Sequence, residues 1–290
     1  MAIFGRRPDG VLLTKLPGFR KMFPYLMPTR TESYIHYEHK IRVARTNRFL
    51  DQLNSGRTGP KITMFHVVLA AACRMMALRP DANRFVSGKR IYQRKEIAYS
   101  FVTKKELTDT APETNVKLTF QPTDTLLEVA QRVFDAVSQV KKSKSSADED
   151  ICDTLTALPR FMTRIALWGW KVLDYWNLLP ASAIKGDSLY CSAYFANLGS
   201  IGLPAVQHHL FEWGNCPFFV VIGKGEKSLL VDGDGNTTVE DIVTSTFTLD
   251  ERITDGVSYA RIIHMLVGFI EDPQQLMSPP DKLPDPFELA

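Results

Sequence analysis

A strand-like run, Ile242 to Leu249, passes through Glu251-Arg252-Ile253-Thr254-Asp255-Gly256 into a helix-like run, Gly256 to Phe269. No other stretch limits the fold as much. The second run carries Ala260, Ile263, Val267 and Ile270 at helical spacing, with Leu266 beside them. That is a one-sided apolar stripe, which has to lie against a core. A strand feeding such a helix calls for sheet and helix packed in layers. The junction itself is then a turn held against the sheet, a place from which a side chain can face a cleft. Asp255 opens the helix and is expected to cap its free N–H groups.

The rest of the chain has the same mixed character. Tyr34 to Val43 alternates as a strand, followed by a helical stretch from Ala44 to Leu53. Thr63 to Leu78 is a strongly apolar helix, with Thr63 as its cap and Arg79-Pro80 as its stop. Ile97 to Thr103 and Asn115 to Phe120 are predicted strands, joined by a polar loop with Asp109, Pro112 and Glu113. Thr123 or Asp124 is expected to cap a helix reaching Lys141, and the Lys, Ser, Asp and Glu cluster 141–150 predicts a mobile loop. Tyr190 to Ala196, Pro217 to Gly223, Ser228 to Val231 and Ile242 to Leu249 supply the last strands. Residues 1–31, rich in Pro, Gly and basic residues, are expected to form an irregular arm, and 276–290 a tail.

Leu155 to Leu179 is predicted as one helix crowded with aromatics, among them Trp168, Trp170, Tyr175 and Trp176. Arg164, Lys171 and Asp174 interrupt it, so spanning a bilayer would bury charge in hydrocarbon. Packing in a core or between subunits is the favoured reading, with membrane-surface contact as the alternative.

Composition narrows the chemistry only slightly. With 290 residues and 44% hydrophobic content the chain can bury a large core, read as one domain. A net charge of +3 gives no field that would imply nucleic acid. Cys73, Cys152, Cys191 and Cys216 are widely spaced and form no Cys-x-x-Cys pair, which argues against a metal site or a disulfide framework. Free thiols and the lack of an apolar run behind Arg6 and Arg7 point to the cytoplasm. Asp232-Gly233-Asp234-Gly235-Asn236 imitates a calcium loop but has Val243 at the twelfth position, so a hairpin turn is expected. Gly223-Lys224-Gly225 lacks the third glycine and the following helix of a dinucleotide loop.

Four segments, in order along the chain, carry a resemblance. Glu251-Arg252-Ile253-Thr254-Asp255-Gly256 resembles the His-Arg-x-x-Asp-Gly signature of the acyltransferase core of 2-oxoacid dehydrogenase complexes, a relative of chloramphenicol acetyltransferase. Gly18-Phe19-Arg20-Lys21, with Tyr34-Ile35-His36-Tyr37 downstream, is similar to that family's opening pieces. Lys61 through Ala77 and then Pro80-Asp81-Ala82-Asn83 is similar to its apolar helix closed by Pro-x-x-Asn. Phe195-Ala196-Asn197-Leu198-Gly199-Ser200-Ile201-Gly202 resembles its Phe-x-x-Ser-Asn-Leu-Gly-x-x-Gly turn. The resemblance implies an α/β (α+β two-layer) fold over residues 32–275, a mixed sheet flanked by helices, assembled as a homotrimer that in this family can build larger cages. It also implies a channel between subunits in which coenzyme A and an acyl acceptor meet, no metal, and thiol acyl transfer. Nothing in the sequence resembles a lipoyl domain or a peripheral subunit-binding domain, so no covalent lipoate is expected.

Carried over by position, the histidine base of the family is Glu251, the structural aspartate is Asp255, and the oxyanion hydroxyl is Ala196. Both chemical positions have therefore changed. A general base contributes about 10²- to 10⁴-fold and an oxyanion donor about 10²- to 10³-fold, so the ancestral reaction should be badly impaired. Within the resemblance, Glu251 or His209 is the candidate base, and Asn197 or backbone N–H groups near Gly199 would support the oxyanion. Gly199 and Ser200 are placed at the cofactor, with Arg252, Asp255 and Gly256 as structural residues of the turn. Two alternatives stand beside this reading: Glu251 in an ion pair with Arg252 or with a neighbouring subunit, and His208 and His209 as solvated loop residues. A non-catalytic acyl-CoA-binding or trimeric scaffold protein is the rival function. His36 and His39 fall on opposite faces of one strand, so one of them is expected to be buried, and His264 is expected to be structural.

Overall fold

The computed structural model describes residues 7–104, 113–142, 147–231 and 233–290. In chain order its elements are β1 (Gly10–Leu12), α1 (Gly18–Leu26), α2 (Arg30–Ser33), β2 (Tyr34–Arg42), α3 (Ala44–Asn54), α4 (Met64–Leu78), β3 (Arg84–Ser87), β4 (Arg90–Arg94), β5 (Ile97–Lys104), β6 (Glu113–Phe120), α5 (Leu126–Lys142), α6 (Ala147–Thr156), α7 (Arg160–Tyr175), α8 (Ala181–Gly186), β7 (Ala193–Asn197), β8 (Phe218–Val231), β9 (Thr237–Asp250) and α9 (Gly256–Glu271). Strands β2-β9-β8-β7-β5-β6 form the main sheet, and β1-β4-β3 a smaller one. The main sheet is mixed, because β5 pairs with β7 and β7 with β8 in parallel while its other pairings are antiparallel.

Alternation along the strands assigns the two faces. Tyr99, Phe101, Phe195, Val220, Ile222, Phe247 and Leu249 turn to one side and join α4, α5 and α9 in the main core. Ala98, Tyr194, Phe219 and Val221 turn to the other, where Leu210, Cys191 and Cys216 complete a smaller cluster. The fold is thus two layers, with α4, α5 and α9 on one face of the main sheet. Helix α4 is buried nearly all round, as its uninterrupted apolar sequence requires. Its first turn is closed by a capping box in which the Thr63 N–H donates to His66 Nδ1 at 3.0 Å. The stripe expected on α9 is right at Ile263, Leu266, Val267 and Ile270, but Ala260 is exposed and Tyr259 and Ile262 fill the core instead.

Several other expectations need correction. The stretch before residue 32 is not irregular, since β1 pairs with β4 and α1 begins directly after Pro17, whose missing N–H is harmless at a helix start. Neither Thr123 nor Asp124 caps α5; Thr125 does, exchanging hydrogen bonds with Glu128. Of the cluster 141–150, residues 143–146 lie outside the described residues and 147–150 belong to α6. The polar loop at 105–112 and Asp232 also lie outside them. β3 and β4 went unread: they are a short hairpin turned by Gly88 and Lys89 with φ of 54° and 61°, the two-residue turn that favours Gly. β8 runs unbroken through Gly223-Lys224-Gly225, where the register shifts between Ile222 and Gly225.

Leu155 to Leu179 is not one helix and not core. Pro159 separates α6 from α7, and α7 has no buried residue. The C-terminal segment is pinned by Arg74, which donates to the Gln275 carbonyl at 3.2 Å, and by Leu283 and Leu289 on the core. Cys73, Cys191 and Cys216 are buried free thiols, and Cys152 is exposed.

Candidate active-site turn

The 251–256 turn is clamped from four directions. Asp250, at the end of β9, takes two hydrogen bonds from the Arg252 guanidinium, at 2.9 and 2.8 Å, and one from its backbone N–H at 3.1 Å. Both side chains of this ion pair are almost completely buried. Ser33 adds a bond to the same carboxylate at 3.2 Å, and the Tyr259 hydroxyl donates to the Asp250 carbonyl. On the outer side Arg20 of α1 donates to the carbonyls of Glu251 at 3.1 Å and Thr254 at 3.0 Å, with its guanidinium 4.4 Å from the Phe23 ring. The Glu251 N–H is taken by the Ser33 carbonyl at 2.8 Å.

Asp255 caps α9 as expected, accepting from the Ser258 N–H at 2.9 Å. That backbone bond, more than any other influence, holds its carboxyl below the usual range. Gly256 is simply the first helical residue.

Only the Glu251 side chain is left out of this lattice. It is exposed and makes no hydrogen bond or ion pair with any described residue. The expected alternative of a Glu251–Arg252 ion pair is therefore not formed: of the two acids that precede Arg252, the buried Asp250 takes its Nε and Nη2, and Nη1 donates to the Met27 carbonyl at 3.2 Å.

Asn197 ends β7 and starts a turn of 3₁₀ helix, Leu198–Ile201. Its side-chain oxygen accepts from the Ser200 N–H at 3.3 Å, while Ser200 Oγ donates back to the Asn197 carbonyl at 2.7 Å. Gly199 is dictated by contact: a Cβ there would lie 2.5 Å from the Gly223 carbonyl oxygen. Ala196, beside Asn197, is half-buried and offers no hydroxyl.

The sheet register shows that these two turns are far apart. Asn197 pairs with Ile222, and Ile222 with Ser245, five positions short of Asp250 on β9. Strand geometry turns this into roughly 16 Å along the sheet and about 10 Å across it. Within one chain, then, Glu251 and Asn197 cannot act on the same atom.

His208 and His209 lie nearer the Glu251 end. The Thr248 hydroxyl donates to the His208 carbonyl and is 3.0 Å from His36 Nδ1. His208 stacks on Phe219 with centroids 3.7 Å apart, and burial pushes its pKa down. His209 is exposed, 4.6 Å from the His208 ring, and its side chain makes no hydrogen bond among the described residues. Of the other histidines, neither His36 nor His39 is buried, since β2 is an edge strand, and His264 is exposed on α9.

Two features of the site were not found by reading the sequence. Arg20 was noted only as part of an opening motif, and nothing local links it to a turn 231 positions away. Arg252 also lines a recess of about 280 Å³ together with Arg30, Lys89 and Lys171. No group of metal-ligating side chains occurs among the described residues.

No protein-family model and no curated protein matches the sequence. Solved structures do match the fold. The dihydrolipoamide acetyltransferase of Azotobacter vinelandii is similar with a TM-score of 0.60 at 14% identity, over 91% of this chain and 90% of that one. The cubic core of the pyruvate dehydrogenase multienzyme complex gives 0.60 at 13% identity, over 89% and 88%. The chain has the acyltransferase-core fold. Chloramphenicol acetyltransferase shares it with a TM-score of 0.54 at 9% identity, over 91% of this chain and 98% of that one. Identities this low establish the acyltransferase-core fold and leave chemistry to the residues.

Proposed function

We propose that the protein is a stand-alone acyltransferase that moves an acyl group from a coenzyme A thioester to a small acceptor, at sites shared between neighbouring copies in a homotrimer. The observation behind this reading is the placement of Glu251 and Asn197 on two built turns set two strands and five strand positions apart, one clamped by the Asp250–Arg252 pair and the other packed at Gly199 against the Gly223 carbonyl. In a cyclic ring of three copies, the proposal requires the Glu251 turn of one protomer to meet the Asn197 turn of the next.

In that arrangement the Glu251 carboxylate takes the proton of the acceptor's thiol or hydroxyl as its S or O attacks the thioester carbonyl. The tetrahedral oxyanion receives hydrogen bonds from the Asn197 amide and from backbone N–H groups near Gly199. Collapse of the intermediate expels the coenzyme A thiolate, which recovers the proton from Glu251. Arg20, Arg252 and Asp255 hold the turn still and touch no reacting atom.

Ala196 favours a second reading, a protein that binds acyl-CoA without turning it over, because the hydroxyl the family places there is gone. Steady-state assays with a panel of acyl-CoA thioesters and acceptors separate the two. Turnover that drops about 10²- to 10⁴-fold in Glu251→Gln, at unchanged thermal stability, is the expected result. Acyl-CoA that raises the melting temperature while no thioester is consumed would support the binding protein instead.

A further inference from the structure

Helix α7 is amphipathic in the reverse of the usual sense. At about 100° per residue, Thr163, Leu167, Trp170 and Asp174 share an arc of about 60°, and this arc meets the body. Trp170 donates to the Tyr190 hydroxyl at 3.1 Å and stacks on Trp213, and Asp174 pairs with Arg7 at 2.8 Å. Phe161, Ile165, Trp168 and Val172 share the roughly opposite arc, where Phe161, Ile165 and Trp168 are 64%, 62% and 68% exposed. Arg160, Arg164 and Lys171, all exposed, run along the flank between the two arcs. Apart from Asp174, held by Arg7, the acids of the α6–α7 pair lie on α6.

A second helix also turns apolar side chains outward. Phe19, Tyr25 and Leu26 of α1 are outward and exposed, while Arg20 turns inward to the Glu251 turn. Pro28, two residues past α1, and Trp170, Lys171 and Asp174 of α7 line one recess with Arg30, Lys89 and Arg252. Its two acids are already engaged, Asp174 by Arg7 and Glu212 by Thr31 at 2.8 Å.

We propose that this face docks peripherally on an anionic lipid bilayer. Helix α7 lies in the headgroup layer with Phe161, Ile165 and Trp168 at the acyl boundary and Arg160, Arg164 and Lys171 among lipid phosphates. A bilayer offers apolar and anionic groups in the order in which α7 displays their partners, and Trp and Tyr favour that interface. A second copy would bring one cationic flank against another with no acid of α7 to meet it. No helix among the described residues is long and apolar enough to cross the bilayer, so the contact is with one leaflet. This inference is independent of the proposed acyl transfer.

Co-sedimentation of the full chain with phosphatidylcholine vesicles, with and without phosphatidylserine, tests it. Binding is expected only with phosphatidylserine, weakening as salt is raised. Arg164→Gln with Lys171→Gln should reduce the partition coefficient about 25-fold, at about fivefold per cation. Phe161→Ser, Ile165→Ser and Trp168→Ser together should abolish binding and leave the melting curve and sedimentation coefficient of the free protein unchanged, because α7 buries no residue. No binding at low salt, binding retained by the triple variant, or a triple variant that changes oligomeric state would overturn the proposal, the last by giving the face to a second copy.

Discussion

Asp250 and Arg252 carry the stability of the turn, and Glu251 between them carries none of it. Removing one member of a buried ion pair costs about 3–5 kcal/mol, so Arg252→Ala should lower the unfolding free energy by that order. Glu251→Gln should stay within about 0.5 kcal/mol of the parent; urea melts of the two variants make the comparison. His66 gives a pH signature of its own. Burial pushes its pKa down to about 4, and its neutral Nδ1 accepts from the Thr63 N–H. The unfolded chain binds this proton at about pH 6.5 and the folded chain only near 4, so His66 stabilises fully above 6.5 and progressively less as pH falls through that window. The loss approaches about 3 kcal/mol. His66→Gln, which can keep the capping box, should remove this part of the acid sensitivity, read as the difference between variant and parent melts at pH 7 and pH 5. Roles set by near neighbours were legible in the sequence, as with the Asp255 cap. Roles set by competition or by distant elements were not: which acid Arg252 chooses depends on Asp250 being sealed under Ser33 and Tyr259, and Arg20 reaches its carbonyls only after the chain has folded.

Hydrophobic periodicity gave the elements of the main sheet and the helices beneath it, because those elements are buried on one face and write that face into their spacing. The same periodicity says nothing about environment, so the core packing expected for 155–179 alongside packing between subunits does not hold for α7. Its apolar arc looks outward while the Trp170 indole and the Asp174 carboxylate look inward, a combination no spacing rule distinguishes from the ordinary one. Short elements whose form depends on a turn, such as the hairpin of β3 and β4, were also beyond reach without attention to Gly88 and Lys89. The Asn197 turn belongs to this scale as well. Gly199→Ala would press a methyl group against the Gly223 carbonyl, and overpacking of this kind costs about 1–3 kcal/mol. The variant should therefore lose stability and, with the turn displaced, acyl transfer activity, whereas Gly256→Ala, in open space, should lose neither. Paired thermal melts and rate assays on the two glycine variants make that comparison.

For the whole molecule, the register of six strands decides more than any single site residue. It sets the Glu251 turn and the Asn197 turn two strands and five strand positions apart, each well built and each lacking the other's chemistry. The resemblance in four short segments anticipated the fold; it could not reveal this spacing, which exists only once strands separated by dozens of residues are paired. A shared site makes a quantitative demand on mixed assemblies. Glu251→Gln and Asn197→Ala, each inactive alone, are co-expressed and the acyl transfer rate of the mixture is measured. Random assembly of trimers pairs an intact Glu251 with an intact Asn197 at about a quarter of all sites, so activity should return to about that fraction of the parent. A mixture no more active than its components would contradict a site built across the subunit boundary.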